Sequence, residues 1–335
     1  MRDEQISTKR RRLLLGGVGG LAALAIPMSP LRAAEAAYPT KPITFIVPWP
    51  PGGTSDATMR SLVAIVSPEL GQPLVVENRA GASGMIGTRG LASAKPDGYT
   101  LGQIPLSVAR FSQLGTVKID PVNDFTFICR TTGQTFGIAV LTSSPFKSIA
   151  DLVTYAKAHP GDVTYATAGI GGQTHVGMEE FALAAGIKLN HIPHKGGAEA
   201  IQAVLGGHVQ LLADSSSWAP HVMQGKMRLL GTWNEERLPR YPDVPTLKEL
   251  GYNVVMNAPN GVGASKGLDP AITKQLREVF RKAVLSDQYR KECEKMDVLV
   301  MYQDGDDYRK FMQETVAQEK EIIERLRLRE LMKEA

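Results

Sequence analysis

From Ile43 onward, short apolar runs alternate with longer amphipathic stretches, and the junctions between them are rich in glycine and proline. "ITFIVPW" reads as a strand and "SDATMRSLVAIVSPEL" as the helix that follows it. "PLVVENR" is a second strand, "AGASGMIG" a glycine-rich loop, "TRGLASAK" a helix and "YTLGQI" a third strand after a Pro96-Asp97-Gly98 turn. Neighbouring parallel strands need a crossover, normally a helix, so this rhythm predicts a mainly parallel sheet covered by helices. It resumes after "DFTFICRT" and "FGIAVLTS". Helix "SIADLVTYAKAH", strand "VTYATA" and helix "THVGMEEFALAAG" follow in turn, the last closing on Gly186. Strand "KLNHIPH", helix "AEAIQAVLGG", strand "VQLLAD" and a helix from Ala219 come next. The C-terminal part is helical, and the mixed charges of "DYRKFMQETVAQEKEIIERLRLREL" read as a solvated face.

The start of the chain stands outside this pattern. Arg10, Arg11 and Arg12 precede a Leu13-Leu14-Leu15 and Gly/Ala/Leu run, and Ala34-Glu35-Ala36 is a small-x-small cleavage pattern. Residues 1–36 therefore read as an export signal, with cleavage near Ala36 and a periplasmic destination. Arg10-Arg11-x-Leu13-Leu14 fits a twin-arginine signal; a general secretory signal with one extra arginine is the alternative. The apolar run is too short and glycine-rich for a membrane span. The signal carries six of the 38 Lys/Arg and three of the 34 Asp/Glu, which leaves 32 and 31, so the remainder is nearly neutral. A nucleic-acid partner loses its support, since such binding rests on excess positive charge. Cys129 and Cys293, the only cysteines, lie far apart and read as two separately packed thiols. There is no zinc-type ligand spacing.

One arrangement occurs twice: a strand, a glycine-rich loop and a helix start, at positions 48–56 and again at 168–175. A helix start presents backbone N–H groups without internal partners and the positive end of the helix dipole, which suits an anion. In the first loop Pro48, Pro50 and Pro51 stiffen the chain, and Gly52 and Gly53 permit close backbone approach. Thr54, Ser55 and Asp56 follow at the cap and first turn. Asp56 is a candidate cap, and its charge argues against a phosphate. The plainer alternative is a sharp, well-capped turn with no ligand. The second loop, "TAGIGGQTH", shifts the balance toward two jaws of one cleft.

Other chemistries fit less well. Neither loop carries the Gly-Lys-Ser/Thr of a P-loop, and Thr174 stands where a dinucleotide site needs its third glycine, so no cofactor is expected. There is no Gly-x-Ser-x-Gly elbow. An exported hydrolase using Asp214, Ser215, Ser216 and Ser217 is the alternative of another class, although no histidine is tied to them by a motif. His191 and His194 on an extended segment would point to opposite sides, which disfavours a metal site. His175, in a first helical turn, reads as a packing or capping residue.

"YPTKPITFIVPWPPGGTSD", "VVENRAGASGMIG", "KPDGYTLG", "DPVNDFTFI", "VTYATAGIGGQTH", "HIPHKGGAEAIQAVLGGHVQLLAD" and "YPDVPTLKELGY" together resemble the Bug proteins. These are the TctC-type extracytoplasmic solute receptors of tripartite tricarboxylate transporters. The resemblance implies an α/β, type II periplasmic-binding-protein fold, with two α/β domains and a ligand cleft between them. By analogy domain 1 is 38–136 plus 251–335 and domain 2 is 137–250. It implies a non-enzymatic, monomeric receptor that captures a small organic acid and meets membrane transporter subunits; an orphan receptor reporting to a sensor partner is also open. Carried onto this chain, the ligand-binding positions are Trp49, Gly52, Gly53, Thr54, Ser55, Ser107, Ala168, Gly169, Gly171, Gly172, Gln173, Thr174 and Asp214. Trp49 and Trp218 are candidates for an apolar wall. Departures from the family pattern fall at Ile170 and Gly172, which lack polar side chains, at His194, and in "IPLSVARFS". Arg110 in that last segment is either a cleft residue that would favour a second carboxylate or a surface or hinge residue.

Overall fold

A computed structural model describes residues 38–256 and 258–334; the segment expected to be an export signal lies outside them. In chain order the first elements are β1 (Ile43–Val47), α1 (Thr54–Leu70), β2 (Leu74–Asn78), α2 (Met85–Ala92), β3 (Thr100–Pro105), α3 (Ser107–Gln113) and β4 (Phe125–Gln134). Then come β5 (Phe136–Leu141), α4 (Ile149–Ala158), β6 (Thr164–Thr167), α5 (Gln173–Ala185), β7 (Asn190–Pro193), α6 (Gly197–Leu205), β8 (Leu211–Ser215), α7 (Ala219–Met223) and β9 (Met227–Thr232). The chain closes with β10 (Ala258–Ser265), α8 (Pro270–Val284), α9 (Asp287–Lys295), β11 (Leu299–Asp304), α10 (Gly305–Arg325) and α11 (Leu328–Glu334).

The strands form two sheets, ordered β11-β4-β10-β3-β1-β2 and β7-β6-β8-β5-β9. The chain leaves the first across Thr135 and returns between β9 and β10. The sheets are mixed rather than mainly parallel. β1 runs parallel to β2 and β3, and β6 to β7 and β8. β10 and β11, and β5 with its neighbours, pair antiparallel. The reason is topological: these antiparallel strands reach their partners without the strand–helix–strand crossover that enforces parallel pairing. Both faces of each sheet are buried. Along β1, Ile43, Phe45 and Val47 enter one core with Met59 and Phe280, while Ile46 enters another with Ile104 and Met312. On β5, Ile138 and Val140 face one core and Ala139 the other. Alternating faces thus read as near-continuous apolar runs, as expected of sheets covered on both sides. Cys129 and Cys293 are free, buried thiols of the first lobe's core.

Helix starts divide into two kinds. Ser148, Asp269, Ser286 and Asp304 cap α4, α8, α9 and α10 with their side chains. The 17-residue α1 and the 13-residue α5 begin instead at Gly53 and Gly172, with no side-chain cap. Among the described residues no helix is long and apolar enough to cross a membrane.

Candidate functional site

The loop from β1 to α1 is held by its own lobe. Gly52 adopts φ +88°, a conformation that favours glycine. Its N–H donates to Asp56 Oδ2 at 3.0 Å, and Asp56 also accepts from Arg60 Nε at 3.0 Å and Asn78 Nδ2 at 2.8 Å. Asn78 Nδ2 reaches the Trp49 carbonyl as well, at 2.9 Å, which ties β2 to the loop. Asp56 is therefore not the N-cap expected from the sequence. It turns back onto the loop and Arg60, one turn on. Burial pushes its carboxyl up, but Arg60, Asn78 and the Gly52 N–H outweigh this and hold it below the usual range.

The loop from β6 to α5 is held from several directions. Gly171, at φ +70°, donates its N–H to His175 Nδ1 at 3.0 Å, and its carbonyl accepts from Arg110 Nη1 at 2.9 Å. Since His175 accepts through Nδ1, its proton sits on Nε2. Burial, with the charge of Arg110 beside it, lowers its pKa to about 4. Its ring stacks on His191 with centroids 4.1 Å apart, and His191 stacks in turn on Tyr165. Ser83, from the "AGASGMIG" loop, donates to the Ile170 carbonyl at 2.7 Å.

These two loops face each other. The lobes touch where Ser83 meets Ile170, where Arg325 pairs with Glu180, and where Pro50 packs so closely on Gly196 that a Cβ there would lie 2.5 Å from its Cδ. Between the loops lies a cavity of about 680 Å³, part of it open to solvent. The first lobe lines it with Trp49, Gly53, Thr54, Ser55, Ser107 and Asn260. The second contributes Ala168, Gly172, Gln173, Thr174, Asp214 and Ser215. The uncapped starts of α1 and α5 therefore border one space. Three buried donors on the first lobe's wall, Trp49 Nε1, Ser107 Oγ and Asn260 Nδ2, have no partner among the described residues. Among those residues the lining holds no Lys, Arg or His, and Asp214 is its one charged residue. Burial pushes Asp214 up to about 6, against the hydrogen bonds it accepts from Ser217 Oγ and the Ser215 N–H.

Of the positions carried over from the family, Gly52, Gly169 and Gly171 do not line the cavity. Both polar backbone groups of Gly171 are spent on His175 and Arg110. Gly169 lies against Ser83, whose Oγ would be 2.5 Å from a Cβ at that position. Trp218 is fully buried in the second lobe and forms no wall. Arg110 is neither a cleft residue nor a surface one: it is fully buried and paired with Glu319. The sequence reading missed Asn260, which sits in the glycine-bearing strand "APNGVGAS", and Glu319, within a run that reads as solvated. Ser216 donates to the Met296 carbonyl, and among the described residues no histidine is hydrogen-bonded to Ser215, Ser216 or Ser217. The side chain that Ser217 meets is instead the Asp214 carboxylate.

Residues 58–328 match the family described as the tripartite tricarboxylate transporter family receptor, TctC. The chain is 42% identical over 313 residues, 93% of its length and 96% of the relative's, to the "UPF0065 protein in gbd 5'region" of Cupriavidus necator. It superposes on the periplasmic binding protein BugD with a TM-score of 0.83 at 27% identity, covering 87% of this chain and 99% of BugD. A protein from R. palustris solved with adipate matches at TM-score 0.82 and 26% identity, over 86% and 98% of the two chains. With the family match over residues 58–328 and 42% identity to a relative covered almost end to end, the chain belongs to the TctC, or Bug-type, family of solute-binding receptors.

Proposed function

We infer that the chain captures a small carboxylate in the interlobe cavity, in the periplasm, and presents it to a tripartite tricarboxylate-type membrane transporter. One observation carries the reading: the uncapped starts of α1 and α5, from opposite lobes, border a single cavity lined by neutral donors. The first-turn N–H groups, with Trp49 Nε1, Ser107 Oγ and Asn260 Nδ2, offer an anion hydrogen bonds without a buried lysine or arginine to desolvate. Contacts to both halves favour the closed arrangement, so capture is a hinge-type population shift. The two sheets are the two domains of that hinge, divided near 136 and 251. The adipate bound to the R. palustris protein supports the ligand class.

The test is calorimetry and thermal unfolding of the mature chain with adipate, succinate and benzoate. At a hundredfold excess over Kd, one of these acids should stabilise the protein by about 2.7 kcal/mol and be recovered chemically unchanged. Turnover of the acid would favour the hydrolase reading, and no stabilisation by any of them would remove the carboxylate assignment.

A further inference from the structure

Arg110 directs four hydrogen bonds to two places. Nε and Nη2 form a fork onto Glu319 at 2.6 and 2.7 Å, within the first lobe. Nη1 and Nη2 cross to the second lobe, to the Gly171 carbonyl at 2.9 Å and Gln173 Oε1 at 3.0 Å. Both members of the pair are buried, at 0% and 3% exposure. A lone buried guanidinium would be untenable, and Glu319 neutralises it in place. The remaining donors lie in fixed positions, because the guanidinium is a rigid planar fork. Since arginine only donates, the Gln173 amide must turn its oxygen to Arg110, which leaves its nitrogen as a donor at the mouth of α5. Gly171 completes the geometry. Its left-handed φ throws the carbonyl toward the first lobe, and a Cβ there would press on Phe111 at 3.0 Å.

We propose that Arg110 is a positioning residue for ligand capture. It is a latch built on the first lobe and neutralised by Glu319, and it fixes the ligand-facing start of α5 on the second lobe only when the lobes are closed. Its effect on affinity rests on the carboxylate reading above; its effect on closure does not. The two cross-lobe bonds are made in the arrangement seen here and would have to break for the lobes to separate, so they add to closure whatever fills the cavity. The same bonds set the direction in which Gly172, Gln173 and Thr174 face the cavity. Arg110 does not itself line the cavity; it reaches the lining through Gln173 and the loop.

The test uses the mature chain with spin labels at K157C on α4 and K274C on α8, both exposed, since the native cysteines are buried. R110M/E319M replaces the ion pair with apolar side chains of similar length, a change that buried pairs tolerate when both partners go together. Without any acid, the wild-type chain should populate the short interlobe distance of the closed structure, and the double variant should lose that component at least tenfold while unfolding within a few degrees of wild type. With whichever acid binds in the calorimetric screen, dissociation from the double variant should be at least tenfold faster. R110K, which keeps the charge but not the fork, should fall between. A wild-type chain with no closed component, or a folded double variant with unchanged distances, would overturn the latch. If no acid binds wild type, the carboxylate reading fails by itself and the distance distributions alone decide the latch.

Discussion

The hydrogen bonds that hold the 48–53 loop come from its own lobe, although Pro50 packs on Gly196 of the other, whereas the 169–172 loop takes hydrogen bonds from both lobes. In the first, prolines limit the chain, Asp56 accepts the Gly52 N–H and Asn78 donates to the Trp49 carbonyl, while Arg60 holds both of those side chains. In the second, Arg110 and Ser83 reach across to Gly171 and Ile170, and His175 holds the Gly171 N–H from below. The same local sequence logic, a strand, glycines and an uncapped helix, thus yields one loop hydrogen-bonded within its own lobe and one hydrogen-bonded across the lobes; in the proposed capture the first is a preformed half-site and the second is completed on closure. Preorganisation on one side lowers the ordering cost of binding, and conditional order on the other couples binding to shape.

The largest expected effect separates the loops by single substitutions. Gly53 has φ −81°, and a Cβ there would meet nothing within 4 Å. Gly53→Val should therefore fold with stability changed by less than ~0.5 kcal/mol, as for a surface substitution. Its side chain would stand in the cavity at the α1 start and should weaken acid binding by roughly a hundredfold, about 2.8 kcal/mol. Gly171→Ala should behave differently. Left-handed φ costs an alanine about 1–2 kcal/mol, and Phe111 adds crowding, so stability and affinity should fall together. Calorimetry beside urea unfolding reads both. Equal affinity in Gly53→Val would take the first loop out of the site, and a loss confined to affinity in Gly171→Ala would erase the distinction between the loops.

The contrast also marks how far sequence reasoning reaches. The two helix starts were legible because glycine after a strand and before an amphipathic run is a local signal. What supports them was legible only in part. Asp56, Arg60 and Asn78 lie within one strand–helix–strand unit, yet Asp56 reads as a cap because an acidic residue in a first turn suggests one. Arg110 and Glu319 are 209 positions apart, and nothing local distinguishes Glu319 from the exposed acids around it in α10. Its burial follows from the packing of α10 against α3, a tertiary fact. Ser83 looked like one more residue of a glycine-rich turn, and its partner Ile170 lies in the other lobe. β10 escaped notice because "APNGVGAS" carries Pro259, Gly261 and Gly263, residues depleted in strands, and the glycines are needed where Tyr308 and Ile104 approach. β10 pairs antiparallel with β3 and β4, so the mixed character of the first sheet is not legible without it.

A second, intermediate effect lies in pH. His175 must stay neutral to accept the Gly171 N–H, and in the fold its pKa is lowered to about 4 from 6.5. Between these values the unfolded chain binds the extra proton and the folded chain does not. Stability from this group is therefore present above pH 6.5 and lost as pH falls toward 4, by about 3 kcal/mol in all. Burial and the neighbouring His175 and His194 lower His191 further, to about 3, so it adds in the same direction. Urea unfolding of wild type and His175→Gln from pH 7 to pH 4 should show the acid loss reduced in the variant. Among the described residues no histidine is hydrogen-bonded to the first loop, so hydrogen exchange at Gly171 and Gly172 should rise on acidification before exchange at Gly52. Simultaneous release of both loops would show that His175 does not support the second one separately.

The smallest effect concerns the two buried acids that flank the loops. Asp56 is compensated by Arg60, whereas Asp214 has no cation beside it, and burial raises its pKa to about 6. The sign is opposite to that of His175: the folded chain holds the Asp214 proton more tightly than the unfolded chain, whose value is 3.8. Its contribution is favourable below pH 3.8 and is lost as pH rises through 6. Asp214→Asn removes that loss at pH 7 but also weakens the hydrogen bonds from Ser217 and Ser215, so a net gain of only about 1 kcal/mol is expected at pH 7. At pH 4 the gain should vanish or reverse, because Asp214 is then already neutral. Asp56→Asn should do the reverse, costing stability at pH 7 because Arg60 loses its partner. If Asp214→Asn destabilises at pH 7 by as much as at pH 4, the carboxylate is serving the α6 start, whose Gly197 leaves a Cβ only 2.1 Å from Asp214 Oδ2, and the second lobe's wall is as fully compensated as the first.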